Sequence, residues 1–545
     1  MTISEKIIAL RKNSNMSQEE LAEKLDVSRQ TVSGWESGKV IPAADKVLAL
    51  SELFNVSTDF LLRDTEEYVT AVIPEEFEED TQYEESVQFE EEPIPSEVIP
   101  APVYKYTEPE KKKLPVKKIV AAVISIILVI ALIIPIPMGL YKKWFFEEPI
   151  QYPYVLVHGL GGYGAESKIN ETTPYWGGVT GNVATYLREE KGYEVYEASV
   201  GPFSSTWDRA CELYAQLTGT TVDYGEAHSK AHNHDRYGRT YETKLAGDWG
   251  SETKGGQVMK LNLVGHSFGG ATVRMLTSLL AYGSEEEKNA SPDDVSELFK
   301  GGKDNLINSV TTLCSPHNGS TLYYCVAQSD SVIDSALSLV FYGSQFANSI
   351  ELGEYYDFHL EHFGIDNEDQ DATSIIKTVF GNGTDNAAYD LSPDGAAEIN
   401  KTIKTVDNVY YFSYAYSATK ESFGVQLPDS SILTFKDILY LPATMIGSYS
   451  QNKVSDYPID KTWLENDGMV NVISAKYPFT DEWQDYDAEN IVKGKWNVMP
   501  VLKGHHGTVV GMGVTTEEAR KFYLDLISMV DAQPRDKKYY FKGLF

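Results

Sequence analysis

The chain has 545 residues, too many for one ordinary domain, and two or more domains are therefore expected. Its formal net charge of −33, from 80 acidic against 47 basic side chains, argues against a protein that coats nucleic acid over its whole surface. The three cysteines, Cys211, Cys314 and Cys325, are too few for a disulfide framework, so the fold must rely on an apolar core or on metals.

The first predicted elements form a small all-α domain over residues 1–63. The stretch MSQEELAEKLDVSRQTVSGWESGKVIP predicts two short helices joined by a turn, with Ser28 capping the second helix. Flanking helices are predicted at Ile3–Asn13 and Ala44–Phe54. The apolar positions expected to face inward are Leu21, Ala22, Leu25, Val32 and Trp35.

This pattern resembles the Cro/repressor-type helix-turn-helix family over residues 3–63. In that family the second helix enters the major groove of DNA. Arginine and glutamine suit base edges there, and hydroxyl groups suit phosphates. The side chains that the resemblance implies to lie near DNA are Gln18, Ser28, Arg29, Gln30, Thr31 and Ser33.

A protein-docking role is the alternative for the same domain. The fold also occurs as a docking module, including in a membrane-anchored relative of the rod-shape machinery. Residues 1–63 contain eight Lys or Arg and nine Asp or Glu, which is not the basic footprint typical of a DNA-binding surface. DNA and a cytoplasmic protein are therefore both retained as alternative partners of this domain.

Residues 64–118 predict a disordered linker with a basic end next to a membrane. Between residues 64 and 104 there is no Lys or Arg, while Glu and Pro recur. Such a composition buries too little apolar surface to fold, and like charges keep the chain extended.

Residues 119–140 predict a single transmembrane helix. The run contains no charged residue and exceeds the roughly 20 residues that a helix needs to cross the hydrocarbon core. A buried core helix is the alternative, although few globular helices are apolar on all faces over such a length. Five lysines precede the run and two follow it, so the N-terminal side is expected in the cytoplasm and the remainder outside.

A nucleophile motif follows in the C-terminal half. The stretch VMKLNLVGHSFGGATVRML predicts a buried strand, a sharp turn and a helix, and residues 265–269 fit the pattern G-x-S-x-G. We therefore expect an α/β-hydrolase over residues 150–545, with a mostly parallel sheet flanked by helices and with Ser267 as nucleophile. The upstream stretch YVLVHGLGGYG places Leu160 where this fold has an oxyanion donor, so the backbone N–H groups of Leu160 and Phe268 are the candidates.

The acid and the base are expected after the nucleophile. A serine hydroxyl needs an imidazole base, and the imidazole needs an orienting carboxylate. Asp467 lies in the stretch WLENDGMVNV, beside a glycine. Two adjacent histidines, His505 and His506, follow a predicted strand in WNVMPVLKGHHGTVVG, and either can be the base.

Residues from about 150 to 531 resemble the thermostable bacillus-type and staphylococcal family of bacterial lipases. The matching stretches include YWGGVTGN, SVTTLCSPHNGSTL, AAYDLSPDGA, TWLENDGMVN and the long segment from VGPFSSTWDRA to HNHDRYGRTY. The resemblance implies that a lipid ester is hydrolysed by Ser267, Asp467 and His506. Spacing to the VVG that follows favours His506 over His505.

The same resemblance implies a structural zinc site. Asp208, His228, His234 and Asp385 match the ligands of the family, and two histidines with two carboxylates form a closed four-ligand set for zinc. His232 lies between the two histidines and is expected in an outer shell or exposed. Surface histidines on a polar loop are the alternative interpretation.

Two further family features are weaker in this sequence. Calcium is doubtful, because Thr508 and Gly513 stand where the family has acidic ligands. Residues 331–350 predict either an amphipathic lid or a core helix.

These observations predict a membrane-anchored lipase with a cytoplasmic helix-turn-helix and an extracellular hydrolase domain. The alternative is a membrane-bound transcriptional regulator that uses the lipase-like domain to sense a lipid.

Overall fold

The structure is a computed structural model of the chain and divides it into two compact units, Met1–Lys113 and Leu114–Phe545. The described residues are 3–14, 16–25, 27–37, 42, 44–54, 56, 145–253, 256–327, 356–364, 383–450, 457–535 and 537–541. The predicted linker, 64–118, the predicted span, 119–140, and residues 331–350 lie outside these ranges. Among the described helices, none combines the length and the apolar character that crossing a membrane requires.

The N-terminal unit contains the predicted helix-turn-helix. Its helices are α1 (Ile3–Asn13), α2 (Gln18–Lys24), α3 (Arg29–Glu36) and α4 (Ala44–Phe54). Ser28 caps α3, because its hydroxyl accepts a hydrogen bond from the backbone N–H of Thr31 at 3.1 Å. The buried apolar side chains of this unit are Ile7, Leu10, Leu21, Ala22, Leu25, Val32, Trp35, Leu50 and Val56.

A parallel sheet of seven strands organises the second unit. In spatial order it reads β12-β13-β8-β7-β6-β2-β3, and every pairing within it is parallel. The strands of the unit are β1 (Phe145–Pro149), β2 (Tyr154–Val157), β3 (Val195–Ala198), β4 (Thr221–Asp223), β5 (Tyr237–Thr240), β6 (Leu261–His266), β7 (Ile307–Leu313), β8 (Tyr410–Tyr414), β9 (Tyr416–Ser417), β10 (Thr419–Ser422), β11 (Val425–Pro428), β12 (Trp483–Asp485), β13 (Trp496–Val498), β14 (Leu502–Lys503) and β15 (Lys537–Phe541). Among the described residues, four two-stranded pairs accompany the sheet: β1 with β15, β4 with β5, β9 with β14, and β10 with β11.

Helices cover both faces of this sheet. Along β2, Val155 and Val157 contribute to one apolar layer, whereas Tyr154 and Leu156 contribute to the other. This alternation follows from the two-residue repeat of a strand, and because both faces are covered, every residue of the central strands β6 and β7 is buried.

The α-helices of the unit are α5 (Ile169–Thr172), α6 (Val183–Glu189), α7 (Thr206–Thr218), α8 (Glu226–His232), α9 (Gly269–Tyr282), α10 (Glu285–Ala290), α11 (Glu297–Lys300), α12 (Leu322–Ala327), α13 (Ala387–Asp390), α14 (Pro393–Thr402), α15 (Tyr440–Gly447), α16 (Val472–Lys476) and α17 (Thr516–Asp531). Short 3-10 helices lie at Gly178–Thr180, Glu361–Phe363, Lys461–Trp463 and Thr508–Val510. Side chains of α7 and α9 contribute to the first apolar layer, and those of α6 and α17 to the second. The predicted α/β-hydrolase architecture is therefore present, with the candidate site at the carboxyl ends of the parallel strands.

Candidate active site and metal centre

Ser267 lies on a sharp turn between β6 and α9. Its backbone has a φ of 54°, in the left-handed region that residues other than glycine rarely adopt. The two flanking glycines are required sterically. A Cβ on Gly265 would lie 2.5 Å from backbone atoms of Gly269, and one on Gly269 would lie 2.2 Å from the carbonyl oxygen of Val157. The turn therefore holds the serine in a strained position that presents its hydroxyl above the sheet.

Two hydrogen bonds connect Ser267 to a histidine and then to a carboxylate. The hydroxyl of Ser267 donates to Nε2 of His506 at 2.8 Å, and Nδ1 of His506 donates to Oδ2 of Asp467 at 2.8 Å. The other oxygen of Asp467 accepts the backbone N–H groups of Met469 at 2.9 Å and Val470 at 2.7 Å. Asp467 is therefore fixed by its own loop and leaves one oxygen for the imidazole.

The adjacent His505 lies outside this chain of hydrogen bonds. Its Nδ1 accepts the backbone N–H of Gly507 at 3.2 Å, and its own backbone N–H donates to the hydroxyl of Thr508 at 2.9 Å. The structure thus brings together Ser267, Asp467 and His506 and leaves the competing histidine in a local turn.

Both predicted oxyanion donors lie beside the nucleophile in the chain or in space. Phe268 follows Ser267 directly and precedes α9. The residue before Leu160 is Gly159, and a Cβ placed there would lie 2.6 Å from Cβ and 3.1 Å from Oγ of Ser267. Neither the N–H of Leu160 nor that of Phe268 donates to a backbone carbonyl of the described chain. These groups remain available to a charge that develops near Ser267.

Tyr175 and His266 link, through hydrogen bonds, the loop that contains Gly159 and Leu160 (the oxyanion loop) with the loop that contains His506. The backbone N–H of Gly159 donates to the Tyr175 hydroxyl at 2.8 Å, and that hydroxyl donates to Nδ1 of His266 at 2.6 Å. Nε2 of His266 then donates to the carbonyl oxygen of His506 at 3.1 Å. Burial holds the pKa of His266 well below its usual range, and the neighbouring imidazole of His506 lowers it further. His266 therefore stays neutral, as this sequence of donors requires.

Arg209 holds the oxyanion loop in place through hydrogen bonds. Its buried guanidinium donates to the carbonyl oxygens of Gly201, at 2.6 Å, and His158, and to the hydroxyl of Thr272 at 2.8 Å. Burial lowers the pKa of Arg209 to about 10. The position of the loop before Leu160 is thus fixed by a side chain from α7.

Cys314 is a further buried neighbour of the acid. It lies directly after β7 with a φ of 53°, and its sulfur, a carboxylate oxygen of Asp467 and a ring nitrogen of His506 lie within 4.8 Å of one another. Burial, with the charge on Asp467, raises the pKa of the thiol well above its usual range. The group stays protonated and uncharged beside the acid.

A second cluster contains the four predicted zinc ligands. Asp208, His228, His234 and Asp385 each offer a ligand atom within 4.8 Å of the others. Nε2 of His228 lies 3.1 Å from Oδ1 of Asp208 and 3.4 Å from Oδ1 of Asp385, and Nε2 of His234 lies 3.4 Å from Oδ2 of Asp385. Ligand atoms about 2.0–2.1 Å from a tetrahedral zinc are themselves roughly 3.3 Å apart. The separations therefore fit that geometry.

The polar atoms of this cluster also suit a cation. Oδ2 of Asp208, Oδ2 of Asp385 and Nε2 of His234 are buried and have no hydrogen-bond partner in the described structure. Burial alone would lower the pKa of His228, but hydrogen bonds to Asp208 and Asp385 raise it to about 10. Two buried carboxylates require a positive charge between them, and this donor set fits zinc.

His232, predicted in an outer shell or exposed, is half-buried at the edge of the cluster. Its ring centroid lies 4.5 Å from that of His228. Another histidine, His362, lies against Asp208 instead, with its Nε2 3.4 Å from Oδ2 of the aspartate.

In the N-terminal unit, some of the side chains predicted to contact DNA are exposed on α3, and the others make hydrogen bonds within the unit. Arg29, Gln30 and Ser33 are exposed on α3. Ser28 and Thr31 are engaged in the cap, with their hydroxyls 2.8 Å apart. The half-buried side chain of Gln18 donates to Glu36 at 2.6 Å, and Arg11 donates to the same carboxylate. The structure therefore presents three of the six predicted side chains freely to a partner surface.

Comparison with known families agrees with both units. Residues 150–532 match the family described as lipase-like, C-terminal domain, which is more than half of the chain. The chain belongs to this lipase family. Residues 7–61 match the helix-turn-helix family.

Relatives of the lipase unit include curated proteins and solved structures. A lipase of Staphylococcus epidermidis is 36% identical over 357 residues, covering 64% of this chain and 48% of the relative. EstA from Clostridium botulinum has a TM-score of 0.63 at 37% identity, covering 71% of this chain and 89% of that one. Lipase 1 from Pelosinus fermentans has a TM-score of 0.61 at 39% identity, covering 70% of this chain and 99% of that one. The chain thus spans about half the length of the curated staphylococcal relative.

Within this lipase unit, the sequence analysis missed several residues of the site. They are Tyr175, Arg209, His266, Cys314 and His362. Tyr175, Arg209, His266 and Cys314 stand inside or beside the motifs, so nearness to a motif was the available signal. His362 had no such signal, because the chain brings it to Asp208 only through the fold.

Proposed function

We propose that the chain is a carboxylic ester hydrolase, a lipase that acts on acylglycerols through Ser267, His506 and Asp467. The observation that carries this proposal is the pair of 2.8 Å hydrogen bonds from serine to histidine to aspartate, built on a strained turn. The family membership and the named lipase relatives support lipid esters as the substrate class.

The geometry supports an acyl-enzyme mechanism. Oγ of Ser267 attacks the ester carbonyl carbon while Nε2 of His506 takes its proton, and Asp467 stabilises the resulting imidazolium. The N–H groups of Leu160 and Phe268 bind the oxyanion. As the carbon–oxygen bond breaks, His506 returns the proton to the leaving alcohol. Water then attacks the acyl-serine with the same histidine as base, releasing the fatty acid and restoring Ser267.

We further propose a structural zinc ion held by Asp208, His228, His234 and Asp385. A bound zinc would supply charge balance and a cross-link between distant segments. Asp208 lies on α7 and His228 on α8, whereas Asp385 lies just before α13, so the residues that hold the ion come from segments far apart in sequence. The site would act on stability, because serine hydrolysis needs no metal.

Replacement of the nucleophile tests the enzymatic proposal. In the full chain purified in detergent, Ser267→Ala should remain folded and lose about 10⁴- to 10⁶-fold in the hydrolysis rate of long-chain acylglycerols. The control is Ser251→Ala, because Ser251 is an exposed serine of a turn. Near-normal activity of Ser267→Ala would refute the assignment of the nucleophile.

Membrane anchoring is a proposal that rests on the sequence of residues 119–140 and on the lysines around it. We propose that residues 1–63 lie in the cytoplasm and that the lipase unit lies outside the cell. Protease added to intact cells should then remove the lipase unit and spare residues 1–110. The opposite pattern of protection would reverse the topology.

The helix-turn-helix supports a second proposal, that residues 1–63 bind DNA. The exposed side chains of Arg29, Gln30 and Ser33 on α3 favour this role, and the family match supports it. The alternatives are a docking site for a cytoplasmic protein and a regulator whose lipase-like unit senses a lipid. A footprint of the full chain on DNA would support the DNA-binding role, and a catalytically inactive wild-type chain that still binds DNA would favour the regulator.

A further inference from the structure

His362 lies against the proposed zinc centre from a segment that is distant in sequence. The segment Tyr356–Gly364 contains the 3-10 helix Glu361–Phe363, and the carbonyl oxygen of His362 accepts the backbone N–H of Asp235 at 2.8 Å. Asp235 directly follows the ligand His234. This backbone contact fixes the segment next to the loop that carries His234 and follows α8, the helix of His228.

The imidazole of His362 is completely enclosed. Its side chain has no exposed surface, and its ring centroid lies 4.3 Å from that of Tyr224 and 4.1 Å from that of Phe363. Both of its ring nitrogens are buried without a hydrogen-bond partner in the described structure. A buried imidazole with two unsatisfied nitrogens is costly, so a polar role is expected for it.

Asp208 faces two different imidazoles through its two oxygens. Oδ1 lies 3.1 Å from Nε2 of His228, inside the four-residue cluster. Oδ2 lies 3.4 Å from Nε2 of His362 and also lacks a hydrogen-bond partner among the described residues. The two unsatisfied atoms therefore face each other across a gap that a small rotation of the carboxylate or the ring would close to a hydrogen bond.

We propose that His362 is the outer-sphere partner of Asp208, donating from Nε2 to Oδ2 and thereby directing Oδ1 at the zinc ion. The inference rests on the zinc site of the proposed function. The four ligands already form a closed set within 4.8 Å, and His362 is not one of that group. A hydrogen bond to the free oxygen of a ligating carboxylate orients it and limits its motion, and loss of such a partner typically weakens metal binding about 10- to 100-fold.

The test measures zinc affinity in matched variants of the full chain. The protein is stripped with a chelator, and the binding of Zn²⁺ is measured by competition with a chromophoric chelator. His362→Phe keeps a ring of similar size against Tyr224 and Phe363 but removes the donor, and it should bind zinc about 10- to 100-fold more weakly. His362→Gln keeps an N–H donor and should lose less. His505→Asn, which removes a histidine outside the cluster, is the control and should bind as the wild type does.

Substitution by Co²⁺ separates an outer-sphere partner from a direct ligand. The visible absorption of bound cobalt reports ligand number, so it should be the same in wild type and His362→Phe. A change to a different ligand number would overturn the proposal in favour of direct ligation. If the wild type binds zinc and His362→Phe binds it with unchanged affinity, the role of His362 is refuted and the zinc site is not. A wild type that binds no zinc would refute the zinc site and this inference together.

Discussion

The backbone N–H of His506 donates to the backbone carbonyl of Asp467 at 2.8 Å, and Nδ1 of the same histidine donates to the carboxylate of the same aspartate, also at 2.8 Å. One bond fixes the position of the base and the other fixes its ring. Because Nδ1 is committed to Asp467, Nε2 is left as the acceptor for Ser267. His505 shares neither bond, although it is the next residue in the chain.

A pair of adjacent substitutions therefore separates the base from its neighbour. His506→Asn should lower kcat about 10⁴- to 10⁶-fold, since the serine loses its proton acceptor. His505→Asn should keep most of the activity. Steady-state kinetics on one soluble ester measures both, and comparable losses in the two variants would contradict the assignment.

The glycines of the sharp turn around Ser267 (residues 265–269, the nucleophile elbow) give a second prediction, which concerns stability. Gly269→Ala places a Cβ 2.2 Å from the carbonyl oxygen of Val157, so the backbone of the elbow must shift. We expect a loss of at least about 1–3 kcal/mol in the free energy of unfolding, together with most of the activity. Gly247→Ala is the matched control, because its Cβ would meet no atom within 4 Å. Equal melting temperatures for the two variants would show that the elbow tolerates the methyl group.

The buried carboxyl of Glu197 should make the free energy of unfolding depend on pH, which is the third prediction. Its side chain on β3 is 1% exposed, and burial raises its pKa above the usual range although Asn182 donates to it at 3.2 Å. A carboxyl with a raised folded-state pKa favours folding when protonated. Its contribution to the free energy of unfolding is fully present below the ordinary pKa of 4.5 and is lost as the pH rises through the folded-state pKa.

Glu197→Gln should remove this dependence while keeping an amide oxygen as acceptor. The variant should gain stability relative to wild type as the pH rises from about 4.5 toward 7, by roughly 1.4 kcal/mol for each unit by which the pKa is raised. Chemical denaturation at several pH values checks the sign. A difference between the two proteins that does not change with pH would count against it.

Metal removal gives a fourth prediction, for the lipase unit. Elemental analysis of the purified, never-chelated chain should find one zinc. Chelation should lower the melting temperature and leave activity measurable at low temperature, because the triad does not include the metal. Free zinc at a thousand times its Kd would stabilise the fold by about 4 kcal/mol. Asp385→Asn should reproduce the loss, and an unchanged melting temperature in that variant would reject the site.

The helix-turn-helix gives the last prediction. Arg29→Ala and Gln30→Ala should each weaken specific DNA binding by about 1–3 kcal/mol if the side chain reads a base. Lys12→Ala, on α1, is the comparison for a general loss of charge. Binding assays at low salt measure all three. If the full chain binds none of the DNA offered, the protein-docking role replaces DNA binding.

Much of the fold was predictable because its signals are local. The bounds predicted for α1 and α4 are those of the structure, and Ser28 caps α3 as predicted. The elbow was predictable because a serine on a strained turn needs small neighbours, and those glycines are adjacent in the sequence. Residues 119–140 carry an equally local signal, and the predicted span stays a prediction.

The spacing to the VVG that follows favoured His506 over His505 in the sequence, but only the tertiary structure gives the reason why His506 is the partner of Ser267. The two share one sequence context, and the choice depends on the loop of Asp467, which holds one of them through its backbone. The same holds for Tyr175, Arg209 and His362, whose partners lie far along the chain. Local periodicity contains no information about such contacts, because they form only when separate strands and helices pack into one core.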